Sequence, residues 1–534
     1  MRLINTETLE LHDFSLQEIP PYVILSHTWG DGEVSFQEMS LPSRSSMNGF
    51  EKIAKTCQLA RGHGLGFAWV DTCCIDKSSS AELTESINSM WQYYLNAAIC
   101  YVSLQDLSPD IPIEDGLAQC RWFTRGWTLQ ELLSPKKLEF YDMSWSYRGS
   151  KHNFVQIISN IARIPIEVLR GQNTLADYSI AMKMSWAARR ETTRVEDMAY
   201  CLLGIFDVNM PLIYGEGMKA FRRLQEEIVK RKNDLTIFAW NALPGQETQM
   251  LSLFATSPEA FVDSSDIIPF RNDFSEYSVT NKGLLMTGDI PMRVADVSGG
   301  NSSCEILRYL VCLGTRKGIY EMGGIYLRKV GPKLFYRDGM FPLAGFGLNE
   351  VEQKDIFDAT GYYILIDPHP TVQVLSSRHR DGALHIPNDH LLNLTNTVPE
   401  SLWDHTDRIF LRSSQYPWSS YPMVLAMKFQ CMLPDTRGVN IVVLCDYRKA
   451  PTCKVFEASS QPCMVFLGRH RNDSIDWEEL ELQAPNILSL NNRMEIRGRD
   501  RIYTVSISFE EGSVESISEH ETFHNLFSLK ATIA

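Results

Sequence analysis

Over roughly the first 140 residues, apolar positions switch repeatedly between an unbroken run and a helical period. Pro20-Pro21 punctuates the chain, and Tyr22-Val23-Ile24-Leu25-Ser26 follows as a continuous apolar segment ending in the polar-aromatic loop Ser26 to Gly30. Continuous rather than alternating apolarity predicts a strand buried on both faces of a parallel sheet. Phe50 to Arg61 then places Ile53, Cys57 and Ala60 on one helical side and is closed by Gly62 and Gly64. A second apolar strand, Phe67 to Val70, runs into the loop Asp71 to Asp76. Ser79 with Glu82 three residues later has the form of a capping box. It opens a helix carrying Leu83, Ile87, Met90, Trp91 and Tyr94 at helical spacing. Ala98 to Leu104 predicts a third strand, Cys120 to Pro135 a tight turn and short helix, and Lys137 to Tyr141 a fourth strand. Before all of these, Arg2 to Leu11 predicts an edge strand or hairpin arm.

Strands alternating with helices argue for a doubly wound α/β domain, a parallel sheet with right-handed crossovers. In such sheets ligands bind beyond the carboxyl ends of the strands, where strand order reverses. Loops 26–30, 71–76 and 125–131 all leave strands at that edge. From Asn153 to Lys232 the pattern is helical, with a second capping-box signature at Thr193 and Glu196 and a helix from Gly217 that lines up Phe221, Leu224 and Ile228. Beyond Trp240 short β-type runs take over, among them Tyr277 to Ile290, Arg308 to Leu313, Ile325 to Tyr336, Tyr362 to Ile366, Thr371 to Leu375, Ile441 to Leu444, Met464 to Leu467 and Ile502 to Phe509. Such runs predict a sandwich or barrel of one or two units. The expected division is an α/β domain over 1–150, its helical extension over 151–240 and a β-rich region over 241–534.

Composition narrows the field. With 44% hydrophobic and 22% charged residues the chain reads as globular, and its length calls for more than one core. A net charge of −14 without any Lys/Arg-rich run argues against a nucleic-acid surface. The segment MRLINTETLELHDF has no signal-type apolar stretch, and no run of 18 apolar residues occurs, so no membrane span is expected. Twelve cysteines without a C-x-x-C pair read as buried, reduced thiols of a cytoplasmic protein. There is no G-x-x-x-x-G-K-[ST] phosphate loop.

The candidate chemistry gathers at the three loops. Trp127 and Glu131, four apart, share one helical face. A flat aromatic beside a carboxylate suits a ligand with a planar base and a sugar, although a core tryptophan and an acid at a helix N-terminus read the same way. His27 and Cys74, with Asp71 or Asp76 orienting the imidazole, would form a thiol nucleophile pair, against which stands an inert buried cysteine. Asp71 and Asp76 either line the site or cap the following helix. A metal site from His27, Cys73, Cys74 and Asp76 lacks the spacing that zinc prefers, and no metal is expected.

YVILSHTWG (22–30), WVDTCCIDK (69–77) and RGWTLQELLSP (125–135), in this order, resemble the three signature blocks of the fungal heterokaryon-incompatibility (HET) domain. SWAARRETTRVEDMAYCLLGIFDVNMPLIYGEGMKAFRRLQEEI (185–228) is similar to the segment that follows in many members. The resemblance implies a Toll/interleukin-receptor (TIR)-like, flavodoxin-like sheet and a role in non-self recognition and programmed cell death. Some TIR domains cleave the N-glycosidic bond of NAD with a glutamate set like Glu131. The resemblance therefore implies Glu131 as the key carboxylate and NAD or NADP as substrate rather than cofactor. Ser26, His27, Trp29, Asp71, Cys74, Asp76, Arg125 and Trp127 are the expected substrate-binding residues. Trp29 or Trp127 would stack on a base, and Ser26 and Arg125 would hold hydroxyl or diphosphate oxygens. Self-association, or association with other death-signalling proteins, is the expected partnership. The alternative is a non-enzymatic TIR-like module that signals by assembly, and a third reading is a Cys74-dependent hydrolase.

Overall fold

The computed structural model describes residues 1–14, 17–246, 250–269, 276–287, 291–295, 308–316, 321–331, 333–347, 356–358, 361–369, 384–387, 391–398, 403–404, 408–410, 424–434, 438–446, 451–457, 492–498, 501–515 and 522–534. The chain forms two compact units, one of residues 1–290, 311–325 and 339–353, the other of 291–310, 326–338 and 354–534. The expected strands at Thr371 to Leu375 and Met464 to Leu467 lie outside the described residues.

The first unit is organised around a seven-stranded sheet. Its strands are β1 (Arg2–Asn5), β2 (Leu11–Asp13), β3 (Tyr22–His27), β4 (Phe67–Trp69), β5 (Ile99–Ser103), β6 (Leu138–Tyr141) and β7 (Tyr147–Ser150), in the spatial order β2-β1-β4-β3-β5-β6-β7. The four central strands are parallel, while β1 and β2 form an antiparallel hairpin at one edge and β7 runs antiparallel at the other. All of β3 is buried, as its unbroken apolar run requires of a strand covered on both sides.

The crossover helices are α1 (Phe50–Gly62) from β3 to β4, then α2 (Asp71–Cys74) and α3 (Ser80–Asn96) from β4 to β5. The short α4 (Ile113–Gly116) and then α5 (Thr128–Leu133) lead from β5 to β6. Right-handed crossovers in this strand order put α1 on one face of the sheet and α3 with α5 on the other. Connections therefore leave β3 and β5 toward opposite faces, the position at which sheets of this kind bind their ligands.

Local details depart from the sequence reading in two places. The stretch after β4 is not a plain loop: it starts as the one-turn helix α2. The capping box at Ser79 is only half formed. Ser79 Oγ accepts from Glu82 N at 3.4 Å, but the Glu82 carboxylate turns away to accept Asp76 N at 2.8 Å and to pair with Arg2.

The helical extension contains α6 (Val155–Ala162), α7 (Ile166–Leu169), α8 (Ile180–Ala187), α9 (Asp197–Tyr200), α10 (Leu203–Phe206) and α11 (Lys219–Arg231). Phe221, Leu224 and Ile228 of α11 are buried, as their spacing predicts. The expected box at Thr193 and Glu196 takes another form. Glu196 accepts the amides of Gly215 and Gly217 at 2.8 and 3.0 Å, pinning the loop before α11.

In the second unit, a four-stranded and a six-stranded sheet share one apolar core, within the β-rich C-terminal region. Leu425, Met427, Phe429, Ile441 and Val443 of the smaller sheet pack in the same cluster as Tyr503, Val505, Ile507 and Leu529 of the larger. Residues 502–509 belong to a longer strand, Ile502–Glu515, in which Tyr503, Val505 and Ile507 are buried and their alternating neighbours are not. Among the described residues no helix is long and apolar enough to cross a membrane.

Candidate functional site

Successive residues of a strand point to opposite faces. At the carboxyl end of β3 this separates Ser26, which faces α3 and α5, from His27, which faces α1. The Ser26 hydroxyl donates to Glu131 Oε2 and accepts from Trp122 Nε1 at 2.7 Å. Tyr94, on α3, donates its hydroxyl hydrogen to Leu25 O at 3.1 Å and adjoins the same carboxyl. Glu131 is 7% exposed. Burial, with the Asp71 charge adding to it, pushes its pKa up to about 8, against the opposing Ser26 hydrogen bond, the nearby Tyr94 hydroxyl and the charge of Arg190. An acid so placed rests largely protonated near neutrality, with its anion reachable at slightly higher pH.

The short helix that carries Glu131 is held at both ends. Thr128 Oγ1 donates to the carbonyl of Trp122 and lies 2.9 Å from that of Arg125, between which its one hydrogen is shared. Lys151 Nζ sits at the other end, donating to Leu132 O and Pro135 O, each at 3.0 Å, where a cation is favoured by the helix dipole. Before the helix, Arg125 bridges in parallel to Glu191 and Gly126 N donates to Glu191 O at 2.8 Å. A Cβ at Gly126 would lie 2.6 Å from Thr192 Cγ2, so only glycine permits this approach.

On the opposite face, His27 lies between two acids, with Nε2 3.7 Å from Glu33 Oε2 and Nδ1 3.8 Å from Asp71 Oδ1. Glu33 also pairs with Lys52 of α1, and Lys52 Nζ donates to Thr28 O at 3.3 Å. Burial by itself would raise the Glu33 pKa, but the adjacent His27 and the hydrogen bonds from Lys52 and Gly30 N bring it down to about 2. Asp71 joins the two faces: it approaches His27, bears on Glu131, and accepts Trp29 Nε1 at 2.8 Å. Trp29 is 49% exposed, with Lys77 Nζ 3.7 Å from its ring centroid.

Residues 22–113 match the family described as Heterokaryon incompatibility protein (HET). The chain carries a HET domain. Residues 219–250 match a second description, Domain of unknown function (DUF8212). Over 228 residues the chain is 48% identical to Vegetative incompatibility protein HET-E-1 of Podospora anserina. That stretch makes up 41% of this chain and spans only 17% of the relative's length. No solved structure matches the chain. The HET match includes Ser26, His27, Trp29, Asp71 and Tyr94 and ends before Glu131 and Arg190.

Of the residues expected to bind substrate, the HET-domain rim brings Ser26 and Asp71 to the side of Glu131, while Trp29 and His27 lie against Asp71. Four others are engaged elsewhere. Arg125 donates to Thr193 Oγ1 at 3.2 Å, and Trp127 hydrogen-bonds Asp197, so both point to the helical extension. Asp76 closes its own turn by accepting Ser78 N at 3.0 Å and Gln37 Nε2 at 2.7 Å. Cys74 is buried, its sulfur accepting Val70 N at 3.4 Å. Trp127, just before α5, and Glu131 on it thus lie one turn apart without sharing a partner, because the helix is wedged between sheet and extension and each side chain faces a different neighbour.

Sequence reasoning overlooked Glu33, Lys52, Tyr94, Trp122 and Arg190. Tyr94 carried a core-like helical period, and no spacing rule links 33 to 52 or 131 to 190. Two cavities in this unit, of about 940 and 280 Å³, do not include Ser26, Asp71 or Glu131 in their linings. The larger is lined by Arg2, Asp13, Phe36, Leu41 and Arg44, and the smaller by Glu82, Tyr93 and Cys74 among others.

Proposed function

We propose that this chain is an incompatibility-type death effector whose HET domain cleaves the N-glycosidic bond of NAD or NADP at the rim that carries Glu131. One observation carries the reading: a buried carboxyl, hydrogen-bonded by Ser26, lies beside Asp71 where connections leave β3 and β5 toward opposite faces. The parallel order β4-β3-β5-β6 supports the TIR-like, flavodoxin-like kinship. The name of HET-E-1 supports a part in vegetative incompatibility, carried over here from a match to 17% of that protein.

The chemistry suits the residues. Nicotinamide leaves as a neutral pyridine, so breaking its bond to ribose needs no strong acid. It needs an anion close to the sugar to stabilise the oxocarbenium-like state and to orient its hydroxyls. Glu131 in its ionised form fills that role, and Ser26 holds it. Trp29, half exposed and pinned by Asp71, offers a ring to a base at the mouth. Self-association would gate the activity in the cytoplasm, since constant NAD loss would be toxic.

The test is NAD and NADP consumption by the purified chain, with and without forced clustering, for wild type and Glu131→Ala. Loss of turnover in the variant is expected, and undiminished turnover removes Glu131 from the reaction. The tight Ser26–Glu131 contact also favours a second reading, in which the carboxyl is structural and the domain signals by assembly alone. In that case toxicity on overexpression survives Glu131→Gln and is abolished by surface changes away from the rim.

A further inference from the structure

Arg190 follows α8, in the helical extension, yet it reaches into the α/β domain. Its Nη1 donates to Arg125 O and to Thr128 Oγ1, both at 2.8 Å, and so grips the turn from which Glu131 is presented. The side chain is 5% exposed, and Nη2 is buried with no hydrogen-bond partner. A guanidinium so far from water is tolerated when an opposite charge compensates it. Glu131 and Arg190 feel each other's charge, and burial holds the Arg190 pKa down to about 10.

The other groups around Glu131 leave this role open to Arg190. Ser26 from β3 hydrogen-bonds the carboxyl, Tyr94 from α3 adjoins it, and Asp71 from α2 opposes its ionisation. Cys100 of β5 and Cys201 after α9 also lie within its field, but burial raises both thiols and keeps them neutral. Of the charged residues that bear on the carboxyl, Asp71 and Arg190 act with opposite sign.

We propose that Arg190 is a positioning residue for Glu131: it anchors the start of α5 and supplies the positive charge that lets the buried carboxyl ionise. The α/β domain then borrows an essential charge from its extension. This explains why the extension is stitched to the α5 turn by the Arg125–Glu191 bridge. The inference rests on the NAD-cleavage reading for its catalytic meaning, but its physical content concerns the ionisation of one carboxyl.

That content is read directly. Difference infrared spectroscopy of the full chain across a pH titration reports the protonated carboxyl, and subtracting Glu131→Gln identifies the Glu131 band. Arg190→Gln is expected to move the midpoint upward, and every pH unit of that movement lowers the anion about tenfold at a fixed lower pH. Arg190→Lys, which keeps the charge, is expected to restore most of it. If Arg190→Gln does not fold, Thr128→Val serves, since it removes one of the two Nη1 hydrogen bonds and should raise the midpoint by less. A midpoint unchanged in whichever variant folds overturns the proposal. A midpoint that moves in a protein that consumes no NAD sinks the glycohydrolase reading and leaves the coupling standing.

Discussion

Glutamine at position 131 should stabilise the protein at alkaline pH and do little at acid pH. The ordinary carboxyl value of 4.5 rises to about 8 in the fold, chiefly through burial. Between those two values the folded chain keeps a proton that the unfolded chain has released. Wild-type stability therefore falls as pH rises through this window and levels off above about 8. At about 1.4 kcal/mol for each pH unit in the window, the full loss is about 5 kcal/mol, an upper figure because the buried site relaxes on ionisation. Glutamine keeps the shape and an oxygen to accept the Ser26 hydroxyl, but it has no proton to lose. Urea denaturation of wild type and Glu131→Gln from about pH 4 to about pH 9 measures the difference. The variant should match wild type near pH 4.5 and gain several kcal/mol by about pH 8.5. A difference that stays flat across the range, or that turns against the variant as pH rises, refutes the argument. A destabilising acid retained at the mouth of a sheet is the pattern expected of a residue kept for function.

Further outcomes follow from the same geometry. Ser26→Ala strands the buried Trp122 indole N–H, which Ser26 accepts at 2.7 Å, and should cost about 1–3 kcal/mol in denaturant midpoint analysis. Glu33 has the opposite linkage: its pKa, lowered from 4.5 to about 2, contributes stability above about pH 4.5 that is lost as pH falls toward 2. Glu33→Gln should therefore cost about 2–3 kcal/mol near neutrality and nothing near pH 2, as followed by acid unfolding. Gly126→Ala places a Cβ 2.6 Å from Thr192 and 3.1 Å from Cys201 Sγ, and should lower the thermal midpoint by the equivalent of about 1–3 kcal/mol.

Local pattern was enough for the framework. The apolar run 22–26, the helical spacings of 50–61 and 80–96, and the clean alternation from 502 onward each encode a period that a chain of this length satisfies in one way. Burial then pairs the strands, and the three polar loops follow to one end of the sheet. What sequence could not settle is which charges meet there. Ser26 and Glu131 are 105 positions apart, and Arg190 reaches the turn at 125–128 from another subdomain. Glu82 and Glu196 kept the spacing of capping boxes yet spent their carboxylates on Asp76 and on the Gly215–Gly217 loop. A side-chain carboxylate takes the best donor within reach, and reach is set by packing. Only the tertiary structure therefore decided that Trp127 serves the extension, that Ser26 and His27 divide between two faces, and that Glu131 is dry enough to hold its proton.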